Sequence, residues 1–115
     1  MKNSLGDKQR LLHVQDAMNH ILLFTKGMDE SAYCSNILVQ SAVERQMEII
    51  GEAVNVLSDE LKAKYLDVEW YRIKAFRNVI AHEYFGISSK QVWNVVYADI
   101  PRLKISIEKI LAELG

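Results

Sequence analysis

Five polar residues with chemical capability crowd into one short stretch, FRNVIAHEYFGI, from Phe76 to Ile87: Arg77, Asn78, His82, Glu83 and Tyr84. Arginine keeps its charge, and its planar fork matches phosphate oxygens. Histidine titrates near neutrality and can take or give a proton. Asparagine can hold a substrate group or orient the histidine, and tyrosine offers a hydroxyl that can donate or be modified. A histidine and an arginine are together sufficient to cleave RNA. The base removes the proton of a ribose 2′-OH, and the arginine stabilises charge on the phosphoryl group. The nucleophile comes from the substrate, so no metal is needed to activate water. The same residues also fit a role confined to folding. Arg77 could pair with Glu83 or with a carboxylate on another helix, His82 could sit at a helix C-terminus where the dipole favours it, and Tyr84 could pack with its hydroxyl at the surface.

Helical geometry limits how these groups cooperate. At about 100° per residue, Asn78 and His82 lie on nearly one face, as do Arg77 and Tyr84. Arg77 and His82 are about 140° apart around a regular helix and do not aim at one point. Either Arg77 reaches around, or the helix loosens in its last turn near His82, or a second helix completes the site.

The elements that must position this stretch follow from hydrophobic periodicity. Leu11, Val14, Met18, Ile21, Leu22 and Thr25 predict a first helix from about Asp7 to Lys26, with Asp7 as its N-cap and Gly27 as its stop. A second runs from Ser35 or Asn36 to about Leu57 on the stripe Val39, Ala42, Val43, Gln46, Ile49, Ile50, Ala53, Val54 and Leu57. Ser58, followed by Asp59 and Glu60, caps a short third helix ending by Tyr65. A fourth begins near Glu69, carries the polar cluster and stops at Gly86 and Ile87. Ser88 or Ser89 caps a fifth through Val92, Trp93, Val96 and Ile100, and Pro101 then predicts a kink or break before a last helix carrying Leu103, Ile107, Ile110, Leu111 and Leu114. The expected fold is all-α, an antiparallel bundle of about five helices formed by residues 1–115 as a single domain. Its apolar stripes exceed what so small a bundle can bury, which points to a homodimer.

Composition narrows the function. Fourteen basic residues against fifteen acidic ones leave a net charge of −1, so any RNA contact has to be local rather than spread over a basic surface. One cysteine, Cys34, cannot form an internal disulfide, which suits a reducing cytoplasm, and it reads as a small buried hydrophobe. The N-terminal MKNSLGDKQR lacks the apolar core of a signal peptide, and no run approaches membrane-spanning length. A cytoplasmic protein without a membrane span is expected.

RNVIAHEY resembles the signature of the HEPN superfamily, and its form here, Arg77-x4-His82-x-Tyr84, resembles the HepT-like toxins that pair with MNT-type minimal nucleotidyltransferases. The likeness extends to AVERQMEIIGEA (Ala42 to Ala53), WYRIKAFRN (Trp70 to Asn78) and VWNVVYADIPRL (Val92 to Leu103), and so covers most of the chain. Glu69 stands where many members carry proline. The resemblance implies a HEPN-type bundle that dimerises, with two motif helices facing each other across a cleft. It implies metal-independent ribonuclease activity with no cofactor. It also implies silencing by a cognate MNT-type nucleotidyltransferase antitoxin that transfers AMP to the motif tyrosine. Carried to these positions, His82 moves the proton, Arg77 stabilises the phosphoryl charge, Asn78 positions the substrate and Tyr84 accepts AMP. Glu52, in the IGEA segment, could hold Arg77 in place.

Other polar residues carry less. Glu44 and Glu48 read as a solvated face, with Arg45 able to pair with Glu48. His13 and His20 are seven apart, roughly 10 Å along a helix, too far to share one metal ion. They read as surface or interface residues. The two tryptophans read as packing anchors. Three functions therefore compete: a ribonuclease toxin, a catalytically inactive HEPN binding module that partners a nucleotidyltransferase, and a helical dimer without chemistry. Retention of both Arg77 and His82 favours the first.

Overall fold

The computed structural model describes residues 4–76 and 89–115. Among the described residues the regular structure is entirely helical. The elements are α1 (Ser4–Phe24), α2 (Glu30–Cys34), α3 (Ile37–Asn55), α4 (Asp59–Lys64), α5 (Trp70–Lys74), α6 (Ser89–Asn94), a π-helical turn (Val95–Asp99) and α7 (Ile100–Leu114). The long helices are α1 and α3, and they pack on each other along their length, with α7 closing against α1. Their facing side chains are fully removed from solvent: Leu11, Val14, Met18 and Ile21 of α1, Val43, Met47, Ile50 and Val54 of α3, and Leu103, Ile107 and Ile110 of α7. Each set follows the three- and four-residue spacing of one helix face, so the periodicity in the sequence is the core itself.

Local signals account for most boundaries. The Asn36 side chain accepts from Val39 N at 3.0 Å and starts α3. Ser58 Oγ accepts from Leu61 N at 3.1 Å and starts α4. Gly27 has φ +78, the left-handed conformation that glycine adopts without steric cost, and it ends the run of α1. The short α2 is absent from the periodicity reading. It is one turn long, held by Asp29 Oδ1 accepting from Ala32 N at 2.8 Å and by the buried Tyr33. A cap and one aromatic anchor suffice for a turn with no apolar stripe of its own.

One expectation is corrected and another is made specific. Asp7 does not cap α1, which begins at Ser4. It lies inside the first turn, buried, and reaches across the bundle: Ser58 N donates to its Oδ1 at 2.9 Å and Ser58 Oγ donates to its Oδ2. An acid near a helix start serves a neighbouring helix here. Of the kink or break expected at Pro101, the structure shows no break but a widened turn just before it. Helical structure runs from Ser89 to Leu114, with the turn before the proline widened so that Ile100 N donates to Val95 O. Proline has no N–H and its ring crowds the carbonyl four residues back, and a π turn relieves that crowding without ending the helix.

Candidate active site

Arg77, Asn78, His82 and Tyr84 lie outside the described residues, as do Glu83 and the expected stop at Gly86. The structure describes the two elements that enter and leave this stretch. On the entering side, α5 places Trp70 and Ile73 in the core, 8 % and 0 % exposed, and Phe76, two residues past its end, is 1 % exposed. Their spacing of three is one helix face. The helix expected from Glu69 through the polar cluster closes at Lys74, with Ala75 as its C-cap, and Phe76 directly precedes Arg77. Trp70 is held further by its indole N–H, which donates to Tyr65 O at 3.1 Å. On the leaving side, α6 buries Val92 and Trp93, and the Trp93 ring packs against Tyr33 with centroids 5.5 Å apart. Both tryptophans are thus packing anchors, as expected.

α5 is only five residues long, and its N-cap residue Glu69 makes no side-chain cap bond. A helix this short does not hold itself. It leans on α3 through its apolar face and on the π turn through charge. Asp99 is 4 % exposed and sits among Val95, Val96 and Ile100 on the inward side of that turn. A buried carboxylate needs partners, and it has two. Arg72 Nε donates to Oδ2 at 3.1 Å and Arg102 donates to Oδ1 at 3.2 Å. Arg102 uses its other terminal nitrogen on Glu69 Oε1 at 2.8 Å, which links α7 back to the start of α5. The set contains two guanidiniums and two carboxylates and is electrically balanced. The hydrogen bond to Asp99, then its negative charge, push the Arg72 pKa further up, so Arg72 is cationic at every working pH.

Sequence reasoning missed this network because its partners are remote: Arg72 and Asp99 are 27 residues apart. One signal was present. Asp99 falls on the apolar stripe between Val96 and Leu103, where a charge is out of place unless something meets it.

Glu52, expected to support Arg77, is exposed on α3. Arg45 pairs with Glu48 at 3.3 Å on the solvated face, as expected. His13 and His20 line a shallow groove of about 210 Å³ between α1 and α3, together with Asp16, Ala17, Gln46 and Ile49. His20 Nδ1 is 3.3 Å from Gln46 Oε1, and its ring stacks on Phe24. Among the described residues no three histidine, cysteine or carboxylate side chains are grouped to hold a metal ion. Cys34 is half-buried against the core. No described helix is long and apolar enough to cross a membrane.

Comparison with known proteins places this architecture. The family model described as ribonuclease HepT-like matches residues 14–110. A protein of Methanocaldococcus jannaschii named "Putative RNase MJ1380" is 33 % identical over 101 residues, spanning 88 % of this chain and 93 % of that one. "Probable ribonuclease HepT" of Thermococcus cleftensis is 31 % identical over 103 residues, spanning 90 % of this chain and 94 % of that one. "Putative RNase TTE0752" of Caldanaerobacter subterraneus is 31 % identical over 101 residues, with 88 % and 90 % spanned. No solved structure matches the chain at a significant level.

Proposed function

The chain belongs to the ribonuclease HepT-like family, and from that premise we propose that it is a metal-independent endoribonuclease, the toxin of a HEPN/MNT toxin–antitoxin pair. The observation that supports the reading is the family match, whose span of residues 14–110 includes the positions of Arg77, His82 and Tyr84. RNA is the substrate. His82 takes the proton from a ribose 2′-OH, the oxygen attacks the adjacent phosphorus, and the 5′-oxygen leaves with a proton. Arg77 stabilises the charge that develops on the non-bridging oxygens. The product ends carry a 2′,3′-cyclic phosphate or, after hydrolysis, a 3′-phosphate. Asn78 positions the substrate and Glu52 supports Arg77.

Residues 1–115 act as one HEPN domain, and two copies form the working unit. Exposed Leu66, Tyr71 and Tyr97, which are 82 %, 72 % and 75 % accessible, support this by leaving apolar surface that one copy does not cover. A dimer also resolves the angular split of Arg77 and His82, because two helices can converge where one diverges. The partner that silences the enzyme is an MNT-type nucleotidyltransferase, which adds AMP to Tyr84. The new phosphate then competes for Arg77 and the nucleoside fills the cleft.

Purified wild type and His82→Ala, incubated with total RNA in excess EDTA, test the reading. Cleavage by the wild type that survives chelation, leaves cyclic-phosphate ends and disappears in the variant is the expected result. Activity lost in EDTA and restored by a divalent ion, or retained by His82→Ala, contradicts it. Tyr84→Phe is expected to cut RNA yet gain no AMP from the cognate nucleotidyltransferase with ATP and magnesium, as read by mass spectrometry.

A further inference from the structure

We propose that Asp99 is a positioning residue for RNA cleavage: by bridging Arg72 and Arg102 it fixes the roll of α5, whose last residue, Lys74, lies three positions before Arg77. The inference rests on the ribonuclease reading above. Three observations converge on it. First, α5 is short, lacks a side-chain cap and buries Trp70 and Ile73, with Phe76 buried two residues past its end. Apolar burial is non-directional, and rings on one stripe tolerate small rolls and slides of the helix. Second, beside the single indole bond from Trp70 to Tyr65 O, the directional restraints on α5 come from its other flank, where Arg72 Nε–H donates to Asp99 Oδ2 and Glu69 accepts from Arg102. Charge-assisted bonds between planar groups hold orientation as well as distance. Third, the acceptor sits at a site that gains little stability from a charge. An inward position beside Val96 and Ile100 would be filled at least as stably by an aliphatic side chain.

The π turn belongs to the same device. It buries Asp99 on the side facing α5 just before Pro101, while Arg102, three residues further on, stays half exposed and spans both carboxylates. Asp99 touches no substrate. It acts through Arg72 on the helix axis, and a small error there is passed to the guanidinium five residues later. Misplacement of a catalytic group by about 1 Å lowers rate on the order of a hundredfold while leaving binding nearly intact.

The test is steady-state cleavage of a defined RNA by the full chain carrying Asp99→Asn, Arg72→Gln, both together, Arg72→Lys, and Ile107→Val as a core control, with unfolding followed in parallel. Asp99→Asn is expected to lower kcat about ten- to a hundredfold with KM within about twofold. Arg72→Gln should do the same, the double variant should be no worse than either single one, and Arg72→Lys should recover part of the rate. Ile107→Val should lower the melting temperature and leave kcat unchanged. If Asp99→Asn does not fold, the Arg72 pair carries the test, because that side chain is half exposed. A kcat that stays at the wild-type value in folded Arg72→Gln, or that falls only as far as melting temperature does across the series, overturns the proposal. If the wild type cuts no RNA, the ribonuclease reading fails on its own. The clamp is then read from the His82 and Tyr84 ring resonances. These should move in Arg72→Gln and stay in Ile107→Val, and unmoved resonances in Arg72→Gln overturn the clamp.

Discussion

Where α1 meets α3 the facing groups are Leu11, Val14, Met18 and Ile21 against Val43, Met47, Ile50 and Val54, all at zero exposure. Where α5 meets the π turn, the facing groups are Arg72 against Asp99, with Arg102 and Glu69 completing the circuit. The first contact is between helices of 21 and 19 residues, and the second involves a helix of five. Long helices with complete apolar faces need no directional restraint, since many weak contacts over several turns fix register by shape. A five-residue helix cannot average over so many contacts. It is placed by a few directional bonds. That contrast separates the part of the molecule that supplies stability from the part proposed to supply aim, and the proposed cleavage motif begins at Arg77, three residues after α5 ends.

The largest effect is expected in the scaffold. Ile50→Ala removes a fully buried side chain at the α1–α3 contact and should destabilise the fold by about 3 kcal/mol, the usual cost of a large-to-small core change. Cleavage per folded molecule should be unchanged. Urea unfolding with an activity assay well below the transition checks both halves, and a rate that drops in the folded population would erase the distinction between the two regions.

Next comes the clamp. Asp99→Ala leaves two guanidiniums without their shared acceptor. Breaking a fully buried pair costs about 3–5 kcal/mol, but both arginines are half exposed and water can reach them, so about 2 kcal/mol is expected. Asp99→Leu with Arg72→Met should regain most of that stability while remaining slow in cleavage. A double variant that is both stable and fully active would show that the charge network does no aiming.

The scaffold also holds one polar clamp, and it gives a smaller test. Ser58→Ala removes the cap on Leu61 N and one of the donors to the buried Asp7 carboxylate. Loss of such a cap costs about 1 kcal/mol, and Asp7 keeps Ser58 N as a partner. The melting temperature should fall by a few degrees. No change at all would mean that water replaces the hydroxyl without loss.

These cases show what the sequence could reveal. Residues whose partners lie within a few positions were legible: Asn36 with Val39, Ser58 with Leu61, Arg45 with Glu48 and the left-handed Gly27. The apolar stripes of α1, α3 and α7 were legible because helical periodicity is itself local. Asp7 was read as the cap of its own helix because its partner is 51 residues away, and Asp99 was passed over because its partner is likewise remote. At Pro101 the need for a deviation was readable, but not its form. A break and a π turn both relieve the missing N–H, and only packing on either side chooses between them. The proposed cleavage motif was suggested by resemblance and lies outside the described residues. Spacing alone left Arg77 and His82 pointing apart.

The smallest effect sharpens the comparison with pH. Tyr65 closes α4, and its hydroxyl donates to Glu113 Oε1 on α7 at 2.6 Å. The hydrogen bond to Glu113 is the main cause that raises the phenol pKa above its ordinary 10.0, with burial and the carboxylate charge adding to it. The folded state therefore favours the neutral phenol. A raised folded pKa stabilises fully below the ordinary value, and the contribution fades as pH climbs from about 10 through the raised folded value. Tyr65→Phe removes the bond at every pH. Its urea midpoint should lie slightly below that of the wild type at neutral pH, and the two should converge in strong alkali. Because Tyr65 O also accepts from the Trp70 indole, the backbone that α5 leans on is unchanged by the substitution. Cleavage should be insensitive to it. Midpoints measured from about pH 7 to about pH 11.5 decide the matter: curves that run parallel throughout mean that the phenol proton is not linked to folding, and a fall in kcat means that aim depends on the scaffold end of α5 as well as on Asp99.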